Sequence, residues 1–252
     1  MTLALPRPGL RSLSWLAVFA LILCAWAVMF AMARMTGVDV IGRPVGMNMM
    51  PMTTFGTLFA MWAIMMAAMM LPTLVPTLAT YERLMTSADG TRAGWFGVLV
   101  GYGLAWVGFA AFIALVQVGL MALGWVDALG IATSGFLTAA LLIGVGAFQF
   151  SRTKAVCHGR CHAPMTFFLG RWQAGFAGGL DMGLRLGGYC VVCCWGFMAL
   201  GFVGGTMSLL WMGLATFFMV FEKLPDIGHR LIRPAGAVLI AAGLVTATLT
   251  LF

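Results

Sequence analysis

The stretch GGYCVVCCWGFMA, residues 187–199, decides how the rest of the chain is interpreted. It places Cys190, Cys193 and Cys194 inside an apolar run. Side chains three and four positions apart share one face of a helix, so the three sulfur atoms are predicted to point towards one place. A lone cysteine, such as Cys24, is interpreted as a small apolar residue of a membrane helix. Three at this spacing indicate soft-metal binding or thiol redox chemistry within or close to a membrane.

The composition of the whole chain is that of a membrane protein. Its 252 residues are 62% hydrophobic and only 8% charged, whereas soluble domains carry about 25% charged residues. We therefore expect a single integral membrane domain over residues 1–252, with an all-α fold: a polytopic transmembrane helical bundle in contact with the lipid bilayer. The net charge of +7 is interpreted as a topology signal and not as a sign of nucleic-acid binding.

About seven segments are predicted to span the membrane, because a span needs about 20 apolar residues. They cover residues 13–33, 55–79, 95–123, 135–150, a fifth stretch ending near 204, 207–221 and 234–252. The first is longer than a signal-peptide core and is interpreted as uncleaved. With the N-terminus in the cytoplasm, the inner connections hold most Lys and Arg residues and the outer ones hold Arg34 and Arg43. Six spans, with the first or fourth segment miscounted, is the alternative.

The start of the fifth segment has two interpretations. A row of glycines at every fourth position predicts close packing against another helix: Gly175, Gly179, Gly183 and Gly187. Asp181 and Arg185 are also four apart and predict an ion pair, which favours an amphipathic helix lying on the membrane surface over residues 172–186. Cys190 would then lie near the inner cysteines. A straight helix would instead place it about 27 Å along, near the outer face.

A second group of soft ligands is predicted in the fourth inner connection, CHGRCHAP at residues 157–164. Its members are Cys157, His158, Cys161 and His162. Zinc sites commonly combine Cys and His at such spacings, but full tetrahedral closure within so short a stretch would be cramped. We therefore expect a shared site or a site of transient metal transfer. A solvated thiol pair and a regulatory disulfide are the alternatives.

Methionine thioethers form a third group, which suits Cu(I) because thioethers are soft ligands. The first outer connection holds Met49, Met50 and Met52. One face of the second span holds Met61, Met65 and Met69. Met198 lies one helical turn after Cys194 and extends the face of the cysteine trio. Packing is the alternative role for the stripe in the second span.

Glu222 and Lys223 stand at the inner end of the sixth segment. Charged residues at a membrane end are either anchors or functional groups. We interpret this pair as an anchor.

The chain resembles the bacterial predicted metal-binding integral membrane protein family, a domain of unknown function whose members are in some cases labelled copper chaperones. The resemblance covers about residues 61–223. It rests on Trp62, the AAMMLP stretch at 67–72, Pro76, Gln149, Lys154, Cys157, Cys161, Pro164, the GYC stretch at 188–190, Cys193, Cys194, Trp195, Met198, Met207, Trp211, Met212, Glu222 and Lys223. It implies a metal-binding protein without naming a reaction.

Two positions depart from the family pattern. Leu186 stands where many relatives have His, and Val192 stands where they have Gly. If that His is a ligand in the relatives, His158 or His162 would have to take its place here.

The sequence thus predicts a multi-pass protein of the bacterial cytoplasmic (inner) membrane that binds Cu(I), with zinc as the alternative metal. It would act in copper transport or as a metallochaperone, with a copper protein or a periplasmic chaperone as partner. A membrane thiol-disulfide oxidoreductase and a structural subunit of a membrane complex are the alternatives. No hydrolase or nucleotide-binding pattern is apparent, so hydrolysis and ATP-driven pumping are not expected.

Overall fold

The computed structural model describes residues 9–45, 52–85, 87–224 and 228–252. In this part of the chain, apolar runs bounded by polar residues form ten helices, and extended pairing is limited to isolated β-bridges. The helices are α1 (Leu10–Met35), α2 (Phe55–Leu84), α3 (Arg92–Ala122), α4 (Gly135–Phe148), α5 (Arg152–His162), α6 (Pro164–Leu169), α7 (Gly175–Ala199), α8 (Gly201–Gly204), α9 (Leu209–Glu222) and α10 (Gly228–Leu251). The predicted all-α class is confirmed.

Five helical segments are long and apolar enough to cross a membrane: α1, α2, α3, α7 continued by α8, and α10. A sixth is obtained if α4 and α5, which are bent by 64° relative to each other, count as one broken span. Helix α9 has 14 residues, or about 21 Å, less than the roughly 30 Å of a bilayer core. All seven apolar segments of the sequence are therefore helical, and the count of seven spans stays a prediction.

Serine side chains cap the N-terminal ends of α5 and α9. Ser151 accepts a hydrogen bond from Lys154 N at the start of α5, and Ser208 accepts one from Trp211 N at the start of α9. Such N-caps satisfy amide groups that have no partner within the helix. They allow the chain to restart helices inside the bundle, where exposed backbone groups would be costly.

Helices α3 and α7 pack backbone to backbone through their glycines. A Cβ atom added to Gly179 would overlap the carbonyl oxygen of Gly94, and one added to Gly183 would overlap that of Val98. The predicted close packing of the glycine row is confirmed. Residues 175–186 belong to the continuous helix α7, and its contact with α3 already begins in its first turns. The expected surface helix over residues 172–186 is therefore wrong.

The ion pair predicted within α7 is present: Arg185 Nε donates to Asp181 Oδ2 at 2.8 Å on an exposed face. It does not redirect the helix, because the two opposite charges neutralise each other in place.

Helix α2 lies at the centre, with α1, α3, α6 and α9 packed around it. Trp62 is fully buried, and its indole nitrogen donates to Gln117 Oε1 of α3 at 2.7 Å. At the opposite end of α2, Glu82 pairs with Arg11 and Arg92 and accepts a hydrogen bond from Trp15. These contacts hold α1, α2 and α3 in register.

Candidate metal centre

Three cysteines from two helices form a buried sulfur cluster, defined as Cys161, Cys190 and Cys193. Their Sγ atoms all lie within 4.8 Å of one another. Cys190 and Cys193 share a face of α7, as the spacing predicted, and Cys161 comes from the last turn of α5. None of the three side chains is more than 5% exposed. Such a group can hold one soft metal ion with three thiolate ligands.

The bend between α4 and α5 brings Cys161 to this cluster. Helix α4 ends at Phe148, Ser151 starts α5, and the 64° change of direction turns α5 across the bundle towards α7. The predicted inner connection around residues 157–162 is therefore helical and not a loop. Broken membrane helices commonly surround ligand sites, because their ends offer polar groups inside the bilayer.

Cys194 borders the sulfur cluster. Its Sγ atom lies 3.0 Å from Cys193 Sγ, and the residue is 2% exposed. The predicted trio of α7 thus comes together, and Cys161 is the member of the second predicted group that joins it.

Lys223 places a buried cation against the sulfur cluster. Its Nζ donates to Cys190 Sγ at 3.2 Å and to Thr73 Oγ1 at 3.0 Å. Tyr102 Oη lies 3.1 Å from the same Cys190 sulfur and 3.1 Å from Thr73 Oγ1. An ammonium group in a dry site compensates the negative charge of a thiolate, which is the form of cysteine that binds metal.

A second buried lysine forms an ion pair beside the cluster. Lys154 Nζ lies 2.5 Å from Glu222 Oε1 and donates to Cys193 O at 2.8 Å. Both side chains are at most 2% exposed. A buried pair costs desolvation energy and gives little net stability, so its position at the cluster indicates a role in the site.

The interpretation of Glu222 and Lys223 as an anchor is wrong, because both residues are buried. Helix α9 ends at Glu222, whose buried side chain pairs with Lys154 of α5, so this end of the helix lies within the bundle. From the sequence, Lys154 and Lys223 were counted among the positive charges of the inner connections. In the structure both are buried at the site.

The other members of the second predicted group stand apart from the sulfur cluster. Cys157 is buried one turn before Cys161 and is outside the set of mutually close sulfurs. His158 Nε2 lies 2.8 Å from the backbone oxygen of Glu222, and its ring stacks on His162 at 5.2 Å. His158 therefore links α5 to the end of α9. Leu186, at the position where a His was expected in relatives, is buried one turn before Cys190.

The predicted methionine ligands fall into three settings. Those in the bundle are almost fully buried: Met61, Met65, Met69 and Met198. Met52 is half-buried against the core. Met49 and Met50 lie outside the residues that the structure describes.

Sequence reasoning missed several groups at the site. Lys223 could have been found, because a cation at the end of an apolar run is a functional signal. Lys154 lies in a basic, polar stretch, so it carries no such signal. Tyr102 and Thr73 carry no such signal, since each is a single polar residue on another helix.

Comparison with known proteins gives one match. No curated protein and no solved structure matches the chain. Residues 59–246 match the model of a family described as PpoB2, copper chaperone, and this region contains the sulfur cluster and both buried lysines. The match covers most of the 252 residues. The chain therefore belongs to the PpoB2 copper chaperone family.

Proposed function

We propose that this protein binds Cu(I) at the sulfur cluster of Cys161, Cys190 and Cys193 and acts in copper transport or delivery in the bacterial cytoplasmic membrane. The observation that carries the proposal is the set of three mutually close, buried sulfur atoms with the Lys223 ammonium against one of them. The membership in a copper chaperone family supports copper as the metal.

The charges around the cluster suit a monovalent ion that is held by two thiolates and one neutral thiol. The Lys154–Glu222 pair is neutral as a unit. Among the described ion pairs, none gives Lys223 a carboxylate partner. Two thiolates, one neutral thiol and Cu(I) carry one net negative charge, which Lys223 balances, whereas three thiolates with Lys223 would balance a divalent ion. A buried site near neutrality avoids the large cost of placing net charge in a low-dielectric interior.

The number of ligands also favours Cu(I) over zinc. Cu(I) is soft and is held well by thiolates, whereas structural zinc is almost always held by four ligands in a tetrahedron. Cys194 would have to supply the fourth ligand for zinc. Its sulfur is adjacent to Cys193, so zinc remains the competing metal in the test below.

The route of delivery that we propose follows the soft ligands through the bundle. Metal would pass between the outer group of Met49, Met50 and Met52, the Met face of α2 and the sulfur cluster, and would be exchanged with a copper protein or a periplasmic chaperone. Cys157, His158 and His162 would lie on the inner part of this route. A cytoplasmic N-terminus gives the orientation that we propose for this route.

Burial of the sulfurs argues against thiol-disulfide exchange with a partner protein. Exchange requires a thiolate to reach the disulfide sulfur, and each sulfur in the cluster belongs to a residue that is at most 5% exposed. The geometry supports metal binding better.

A competition assay tests the proposal. The full chain, purified in detergent under reducing conditions, would be titrated with Cu(I) against bathocuproine disulfonate. We expect the Cys190→Ser/Cys193→Ser variant to bind Cu(I) at least about 100-fold more weakly at the tight site, because two of three ligands are lost.

Cys24→Ser is the matched control, since Cys24 is an exposed cysteine of α1 far along the chain from the cluster. It should bind Cu(I) as tightly as the wild type. Failure of the wild type to compete with the chelator, or equal binding by the double serine variant, would refute the proposal. Stronger retention of Zn(II) than of Cu(I) would assign the site to zinc.

A further inference from the structure

Four methionine side chains line a small cavity between α2, α7 and α9. The cavity has a volume of about 10 Å³. The four methionines are Met65, Met69, Met198 and Met212. Each is at most 2% exposed. These four residues are here called the thioether cage.

Packing alone does not account for the cage. Methionine is flexible and fills gaps in cores, so four methionines around one point would be expected to collapse and close it. The volume that they leave is close to the minimum that holds one water molecule. A bound water typically makes about three hydrogen bonds, and the lining offers it two polar side chains. The hydroxyl of Thr206 already donates to Leu129 O, and the indole N–H of Trp211 is a buried donor without a partner among the described residues.

The chemistry of the lining fits a monovalent soft cation. Thioethers are neutral soft ligands that bind without losing a proton, and they prefer Cu(I)-like ions to hard divalent ions. The aromatic side chains of Phe197 and Trp211 line the same cavity, and ring faces stabilise a cation. No described carboxylate lines the cavity, so a divalent ion would lack the charge that it needs.

The cage lies next to the sulfur cluster along two helices. Met198 follows Cys193 by five residues of α7, and Met69 precedes Thr73, which contacts Lys223 at the cluster, by four residues of α2. Five residues of a helix are about 7.5 Å along its axis. An ion could therefore pass between neutral and anionic sulfur ligands over a short distance inside the bundle.

We propose that the thioether cage is a second, separate binding site for a monovalent soft metal ion, which exchanges with the sulfur cluster. The exchange rests on the function proposed above, but metal binding by the cage does not. Met65, Met69 and Met198 were already predicted as ligands from the sequence, and the cage adds Met212 of α9 to them.

Silver ion is the probe, because Ag(I) is soft and monovalent and does not undergo redox chemistry under these conditions. The full chain in detergent would be titrated with Ag(I), and bound metal measured by mass spectrometry. The wild type is expected to bind one more equivalent than Met69→Leu/Met212→Leu. Leucine has nearly the volume of methionine and removes the sulfur with little effect on packing.

Met66→Leu is the matched control, because Met66 is buried on α2 and does not line the cage. It should bind as much Ag(I) as the wild type. With selenomethionine protein, selenium-edge absorption should show silver–selenium scattering that the Met69→Leu/Met212→Leu variant loses. Equal stoichiometry in the wild type and that variant would overturn the proposal, as would equal losses in the variant and the control.

The Cys190→Ser/Cys193→Ser variant separates the two ideas. It should keep the equivalent that depends on Met69 and Met212 and lose the other. If it binds no Ag(I) while the wild type binds one equivalent, the cage proposal is wrong and the sulfur cluster stands. If it and the wild type both bind only the methionine-dependent equivalent, the sulfur-cluster function is wrong and the cage stands.

Discussion

Replacing Lys223 by methionine should weaken Cu(I) binding strongly while leaving every sulfur ligand in place. Lys223 Nζ lies 3.2 Å from Cys190 Sγ and is part of a residue that is 9% exposed. Methionine has a similar length and apolar stem but no charge. The substitution therefore removes the cation that balances the thiolates and little else.

The size of the effect follows from the distance. At an effective dielectric constant of about 20, two unit charges separated by this distance interact by roughly 5 kcal/mol. Breaking a buried ion pair by removing one partner typically costs about 3–5 kcal/mol. Since about 1.4 kcal/mol corresponds to a tenfold change in affinity, we expect Cu(I) binding to fall by at least about 100-fold.

The assay is the same chelator competition, carried out on Lys223→Met and Lys223→Arg side by side. Arginine keeps the charge, so it should retain most of the affinity if charge is what matters, although its different shape will disturb the contact with Thr73. Refutation would come from a Lys223→Met protein that folds and binds Cu(I) as tightly as the wild type. That result would mean that the buried cation serves packing and not the metal.

Two further predictions concern the scaffold. Gly179→Leu should lower the thermal unfolding temperature in detergent markedly, because a side chain there collides with Gly94 of α3. Gly188→Ala should not lower it, because the space around Gly188 is open. Equal unfolding temperatures for the two variants would contradict the close packing. Glu222→Gln should destabilise the protein by about 3–5 kcal/mol in reversible unfolding, because it leaves the Lys154 cation without its buried partner. Asp181→Asn removes an exposed ion pair and should leave the unfolding midpoint unchanged.

Local patterns in the sequence were sufficient for the helices and for one face of the site. The apolar runs predicted where helices form, and the spacing of Cys190, Cys193 and Cys194 predicted that their sulfurs converge. The glycine row predicted close packing against another helix, which is α3 in the structure. Each of these features depends on neighbours within a few turns of one helix, so the sequence pattern was enough.

The rest of the site depends on relations between helices that no local pattern encodes. Cys161 reaches the cluster because α4 and α5 bend by 64°, and Lys223 reaches it because α9 is too short to cross the bundle. Helix α7 was mispredicted for a related reason. Asp181 and Arg185 indicated a surface helix, but packing on α3 outweighs one self-neutralised pair.

The early ends of α4 and α9 explain how an apolar bundle accommodates so many charged groups. A bundle of complete spans would carry its lysines and glutamates at the ends, near water, and its interior would offer only thiols and thioethers. Because α4 stops early and α9 stops early, their ends bring Lys154, Glu222 and Lys223 to the middle of α7. A thiolate cluster needs a nearby cation to remain charged in such an interior. The breaks in the helices and the chemistry of the cysteines are therefore parts of one arrangement, and lengthening α9 would separate the cation from the sulfur that it supports.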